Sequence, residues 1–209
     1  MANKRVKEKR TADNKLAAYE KERSVFLPFY IISAAIAAVA ILFFFLNWVY
    51  VGNTDYGIEV KVSGFSFVAA ALSDNYTSTD TKIFGDIAVP FYYYEKATCE
   101  ALGTLTLITL IAVIGAIALL IVTRITKKQW FGFIALPLSL LSCVLLFVVF
   151  KTAVGMKNGS ILPIYCSGNP ACYIGSLAII AAITLLASTA LQGYTSIRYI
   201  LCVKKYKSV

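Results

Sequence analysis

The sequence predicts an all-α integral membrane protein, a four-transmembrane-helix bundle with a small β-containing extracellular cap built from the first outer loop. Three observations lead there. Of the 209 residues 59% are hydrophobic and the mean hydropathy is +0.73, more apolar than the surface of a water-soluble domain of this size accommodates. Four stretches without Asp, Glu, Lys or Arg, residues 27–51, 101–123, 130–150 and 174–196, reach the length of about 20 residues that a helix needs to cross hydrocarbon about 30 Å thick. The 20 Lys and Arg residues divide unevenly, fifteen on one side of such a bundle and five on the other, and the richer side is expected to be cytoplasmic.

Residues 1–26 form a basic N-terminal segment, with Lys4, Arg5, Lys7, Lys9, Arg10, Lys15, Lys21 and Arg23 against Glu8, Asp13, Glu20 and Glu22. It is too polar to bury a core yet rich in helix formers, so it is predicted as a frayed helix running into the first span, its positive charge suited to an anionic inner leaflet. The first transmembrane helix is placed at 27–51. It is longer than the roughly 7–15 apolar residues of a cleavable signal and ends without a small-x-small pattern, which predicts an uncleaved anchor. Trp48 and Tyr50 stand at its outer end, where amphipathic rings favour the headgroup level.

Residues 52–100 are expected to form the extracellular cap. Ile58, Val60 and Val62 alternate with Glu59, Lys61 and Ser63, the period of a half-buried strand, and a second strand is predicted about 82–89. Between them SFVAAALS, residues 66–73, reads as a helical turn lying on the membrane. A sheet of two or three strands is not stable alone, so the cap should rest on the helix ends. It carries seven carboxylates, Asp55, Glu59, Asp74, Asp80, Asp86, Glu95 and Glu100, against three lysines; beyond Glu100 the chain has no further Asp or Glu.

The second transmembrane helix is placed at 101–123 and is followed by a cytoplasmic link at 124–129 bearing Arg124, Lys127 and Lys128. The third, at 130–150, contains Pro137, whose missing amide and ring are expected to bend it. A second extracellular loop occupies 151–173, the fourth helix 174–199, and a basic cytoplasmic tail 200–209. Small residues four apart, at Ser33/Ala37, Ala34/Ala38, Ala112/Ala116 and Ala178/Ala182, would let helix backbones approach closely.

The chemistry available is narrow. The chain has five cysteines and no histidine, so a structural zinc site lacks its usual ligands, and no metal ligand, cofactor or catalytic residue is assigned. Cys166 and Cys172, six positions apart across a Gly-Asn-Pro turn, are the disulfide candidate on an oxidising exterior, with Cys99 the rival partner for either. Cys143 falls in the third span and Cys202 at the inner end of the fourth, where palmitoylation competes with an inert thiol. The spans offer only hydroxyls and two amides, Asn47 and Gln192, both placed near helix ends. Two glycosylation sequons begin at Asn75 and Asn158.

Four spans, inner termini, a larger first outer loop with a strand pattern and a shorter second loop resemble the claudin-type tetraspan layout. The hallmark of that family, tryptophans followed by a close cysteine pair in the first outer loop, is absent, since after Trp48 no cysteine appears until Cys99. No functional residue is carried over. The expectation is a non-enzymatic multi-pass protein of the cell membrane with both termini cytoplasmic, acting as an accessory, scaffolding or adhesion-like subunit; the alternative is a subunit of a channel or transporter. Its expected partners are the lipid bilayer and other membrane proteins, a homo-oligomer among the candidates, with no nucleic acid.

Overall fold

The computed structural model describes residues 2–53, 58–73, 96–155 and 170–207. The described chain is helical apart from three short strands, in the order α1 (Ala2–Leu42), a 3-10 turn (Phe43–Phe45), β1 (Asn47–Asn53), β2 (Ile58–Ser63), α2 (Gly64–Ser73), α3 (Lys96–Thr126), α4 (Trp130–Gly155), β3 (Pro170–Ile174) and α5 (Ser176–Lys207). Four of these helices, α1, α3, α4 and α5, are long and apolar enough to cross a membrane, and the chain is a membrane protein.

Around the bundle α1 packs on α3 and α5, and α4 packs on the same two, which closes a ring of four. The contacts between helices combine small and polar residues with a few large apolar ones, Leu102, Leu120, Leu146 and Phe150 among them. On α1 the buried stripe runs through Tyr30, Ser33, Ala34, Ala37 and Ala40 and continues to Phe44 in the 3-10 turn, and on α3 it runs through Thr106, Thr109, Ala112, Val113 and Ala116. Ile, Leu, Val and Phe side chains such as Ile111, Ile114, Val144, Phe147, Ile183 and Ile197 point outward. Water would penalise so large an apolar exterior; lipid accepts it, and small residues between helices allow the close approach that replaces a hydrophobic driving force. The expected close pairs Ser33/Ala37 and Ala112/Ala116 lie in these contacts, whereas Ala38 faces out. At Gly115 an added Cβ would lie 3.0 Å from the Leu138 side chain, so glycine there sets the α3–α4 approach.

Two of the helices, α1 and α5, run well past their charge-free stretches. α1 has 41 residues, about 60 Å at 1.5 Å per residue, roughly twice the hydrocarbon thickness. Its charge-free part begins only after Arg23, and the basic segment is continuous helix with it, running through Pro28. α5 continues past Arg198 to Lys207. α4 likewise runs through Pro137 as one helical element.

The sheet corrects the expected architecture at its edges. β2 forms where the alternating pattern predicts it, and α2 covers the predicted helical turn. The strand order is β2-β1-β3, antiparallel throughout, so the central strand is Asn47–Asn53, whose first five residues the sequence reading placed in the first transmembrane helix. β3 comes from the second loop and leads into α5. The sheet is therefore not a product of the first loop alone; it draws on the end of α1 and the approach to α5 as well. The strand expected about 82–89 lies outside the described residues.

Candidate functional site

Two places in the fold gather side chains into something more specific than packing. The first is a polar seam inside the bundle. Most of the buried hydroxyls are satisfied within their own helix: Thr106, Thr109, Thr123, Ser142, Thr189 and Thr195 each donate to the carbonyl four residues back at 2.7–2.9 Å. Ser33 and Ser188 do not. Each donates its hydroxyl to the other's backbone carbonyl at 2.8 Å, and the two oxygens are 2.9 Å apart, a reciprocal clasp between α1 and α5. Gln192, one turn further along α5, donates from Nε2 to Ser188 Oγ at 3.2 Å, while its Oε1 accepts from Ser139 of α4 at 3.0 Å. All four are buried. Three helices are thus joined by one chain of hydrogen bonds. In hydrocarbon an unsatisfied amide is costly, and the seam closes on itself so that the partners satisfy one another. Gln192, expected near a helix end, instead sits at the middle of α5 because that helix extends well beyond the charge-free stretch.

The second place is the junction of the sheet with the bundle, centred on Trp48. Asn47 pairs with Ser63 and Val49 with Val62, so β1 spends two steps against one step of β2 and Trp48 is the extra residue of a β-bulge. Its side chain is fully buried, 4.4 Å from the Phe44 ring and edge-on to Phe150 at 5.6 Å, and its indole nitrogen donates to the Phe43 carbonyl at 2.6 Å. Its own carbonyl accepts from Gly175 at 2.7 Å, at the start of α5. Gly64 lies against the indole, where an added Cβ would come within 2.7–2.9 Å of three ring carbons, a position that only glycine fills. One residue therefore ties the end of α1, both neighbouring strands and α5. The sequence placed Trp48 at the membrane boundary, which is the right neighbourhood, but a headgroup anchor would be exposed and this ring is not. Trp130, by contrast, is 77% exposed at the start of α4, as a boundary tryptophan should be.

At the opposite, Lys- and Arg-rich end the helical extensions of α1 and α5 meet. Lys205 Nζ and the Tyr206 hydroxyl both donate to one Glu22 carboxylate oxygen at 3.0 Å. These bonds hold the Glu22 carboxyl below its ordinary value of 4.5, and the Glu22 contact raises Lys205. The Tyr19 and Tyr199 hydroxyls are 3.4 Å apart, and the Arg198 guanidinium stands 5.8 Å from the centre of the Phe26 ring. Arg23 donates to the carbonyl of Lys127, the residue that ends α3 in a left-handed conformation at φ 57°.

Of the cysteines, Cys143 is buried in α4, 3.5 Å from the Thr189 hydroxyl. Cys202 is buried in the bundle, 2% exposed, and so faces away from the lipid that a palmitoyl chain would enter. Cys172 lies on β3 in register with Val51 of β1, and Cys99 is in the first turn of α3. Cys166 lies outside the described residues, as do Asn75 and Asn158. Asn47 has left the helix and opens β1. Among the described residues no group of three His, Cys, Asp or Glu side chains could hold a metal ion. No protein-family model matches the chain and no curated protein matches it in sequence, so the likeness to claudin-type proteins stands on layout.

Proposed function

We propose that the chain is a non-enzymatic tetraspan subunit of the cell membrane that works through contacts, in an accessory, scaffolding or adhesion-like role. The observation that carries this reading is the seam itself: Ser33 is committed to Ser188, Ser188 to Gln192 and Gln192 to Ser139, which gives these four side chains a structural task. The parts left to meet other molecules are the sheet end and the basic end. In this reading the fifteen-to-five division of Lys and Arg puts the basic end and both termini in the cytoplasm and makes the sheet an extracellular cap. Cys166 and Cys172 then lie in an oxidising space and pair.

Affinity purification of the tagged full chain in mild detergent tests the reading. The expected result is recovery with stoichiometric partner proteins or further copies of itself; recovery as a lone monomer from every source membrane would overturn it. Non-reducing peptide mapping is expected to find Cys166 joined to Cys172, and finding both as free thiols would remove the oxidised exterior.

A second reading, a channel or transporter subunit, is favoured by one observation: an amide, Gln192, stands mid-helix inside the bundle, hydrogen-bonded to hydroxyls of its own helix and of α4. Its test is flux or conductance in liposomes containing the purified chain. Flux that Gln192→Leu abolishes would favour this reading over the first, and a silent bilayer would count against it.

A further inference from the structure

α2 is short, ten residues, and GFSFVAAALS contains no charge. It packs on α3 and on the 3-10 turn that follows α1, burying Phe67 and Val68, which are 1% and 2% exposed. Phe65, Ala69 and Leu72 follow the i, i+4, i+7 spacing and form a separate stripe along the helix. At one end of that stripe Phe65, half-buried, stacks on Phe45 with ring centres 4.9 Å apart and planes 25° apart; at the other Leu72 is 69% exposed.

Phe45 is also the continuation of the outward face of α1. Val39, Leu42, Phe45 and Leu46 are each between 41% and 64% exposed, and no charged residue interrupts them. The apolar exterior that faces lipid on α1 therefore passes across the Phe45/Phe65 stack onto α2 without a polar break.

We propose that α2 is a membrane-surface helix: Phe45, Phe65 and Leu72 sit in the acyl-headgroup boundary of the leaflet on the sheet side and hold the sheet down on the bilayer. The occupant is lipid because the patch is an extension of the lipid-facing band. It is also too small for a second copy of the chain, three large side chains where a stable protein interface uses about 20–30 residues a side. With Phe67 and Val68 turned onto the protein, the second apolar stripe fits a boundary in which apolar faces sink about 5–10 Å. The leaflet and not the cap would then fix the height of β1 and β2, which adjoin α2 at Ser63 and Gly64. Ser63 reinforces that corner, its hydroxyl accepting from the Ser66 amide at 3.1 Å to start the helix.

The test uses the full chain in lipid nanodiscs with Trp130→Phe, which leaves buried Trp48 as internal reference, and adds Leu72→Trp. The added emission is expected to be blue-shifted and quenched about two-fold by lipids brominated near the top of the acyl chain, less by lipids brominated near its end, and little by aqueous acrylamide. Water-like emission quenched by acrylamide would overturn the proposal. So would insensitivity to both quenchers, which would mean that protein covers the stripe. Phe45→Trp, on the α1 side of the stack, gives the same reading from a second position should the first variant fold poorly, and an unchanged Trp48 signal reports that the fold is intact.

Discussion

α1 and α5 meet at both ends of the molecule, and they meet by different physics. At the sheet end they are joined through backbone: β1 continues α1, β3 leads into α5, the two strands pair from Asn53/Pro170 to Val49/Ile174, and Trp48 fills the space beneath. At the basic end the same helices touch through half-buried side-chain tips and one exposed lysine, Glu22 with Lys205 and Tyr206, and Tyr19 with Tyr199. The first junction buries area and satisfies main-chain groups, so it should respond to changes of volume and ignore salt. The second relies on solvated charge, so it should respond to salt and pH and tolerate changes of shape. Between them the seam is polar but buried, and belongs to neither class.

The largest effect should follow Trp48→Ala, a loss of about 3–5 kcal/mol in unfolding measured in detergent micelles, because a fully buried indole and its bond to Phe43 vanish together. If it proves no more costly than Trp130→Ala at an exposed boundary, the contrast between the ends fails. Gly64→Ala comes next, about 1–3 kcal/mol, since the new methyl overlaps the indole. Combined with Trp48→Phe it should cost less than the sum of the two changes, because the smaller ring vacates the overlapped space; strict additivity in a double-mutant cycle would show that the close approach is not the cause.

In the seam Ser188→Ala should cost about 0.6–1.7 kcal/mol, the range for interhelical hydrogen bonds in membranes. The cycle with Ser33→Ala should show coupling, because each hydroxyl has the other's residue as its partner. Smallest of all is Glu22→Gln at the basic end, an effect that shrinks further at high salt. Its pH dependence has a fixed sign. The Glu22 carboxyl is held below its ordinary 4.5 in the folded chain, so its contribution is fully present above that value and disappears as pH falls through the lowered folded value. Wild type and Glu22→Gln should therefore differ by a constant amount at neutral pH and converge in acid, as read from unfolding midpoints across a pH series; a difference that grew in acid would contradict the contact.

The spans were legible because lipid imposes a crude and unambiguous requirement, about 20 residues without charge, and residues 101–123 and 130–150 meet it with clear limits on both sides. β2 was legible from its alternation. The end of α1 was not. LNWVY is apolar and aromatic, equally compatible with the last turn of a spanning helix and with a strand, and what decides is its pairing with residues 58–63 and 170–174. β3, PACYI, carries no periodicity of its own and exists because β1 offers it an edge. The helical extensions were only half visible: residues 1–26 read as a frayed helix, and its contact with α5 joins Tyr19 and Glu22 to residues nearly two hundred positions away in sequence. Gln192 was misplaced for a related reason, since a helix was assumed to stop soon after its first charge.

The central position of β1 also sets an order of assembly. Its partner on one side, β2, follows within a few residues, but its partner on the other, β3, begins only at Pro170. At about 5–20 residues per second of synthesis, more than a hundred intervening residues mean that a half-paired strand and an unroofed Trp48 wait roughly 6–25 s for the last strand to arrive. The newborn protein must pass through that exposed stage while its final helix is still inside the ribosome and translocon, and chaperones or partners present then would find a surface that the finished molecule no longer shows.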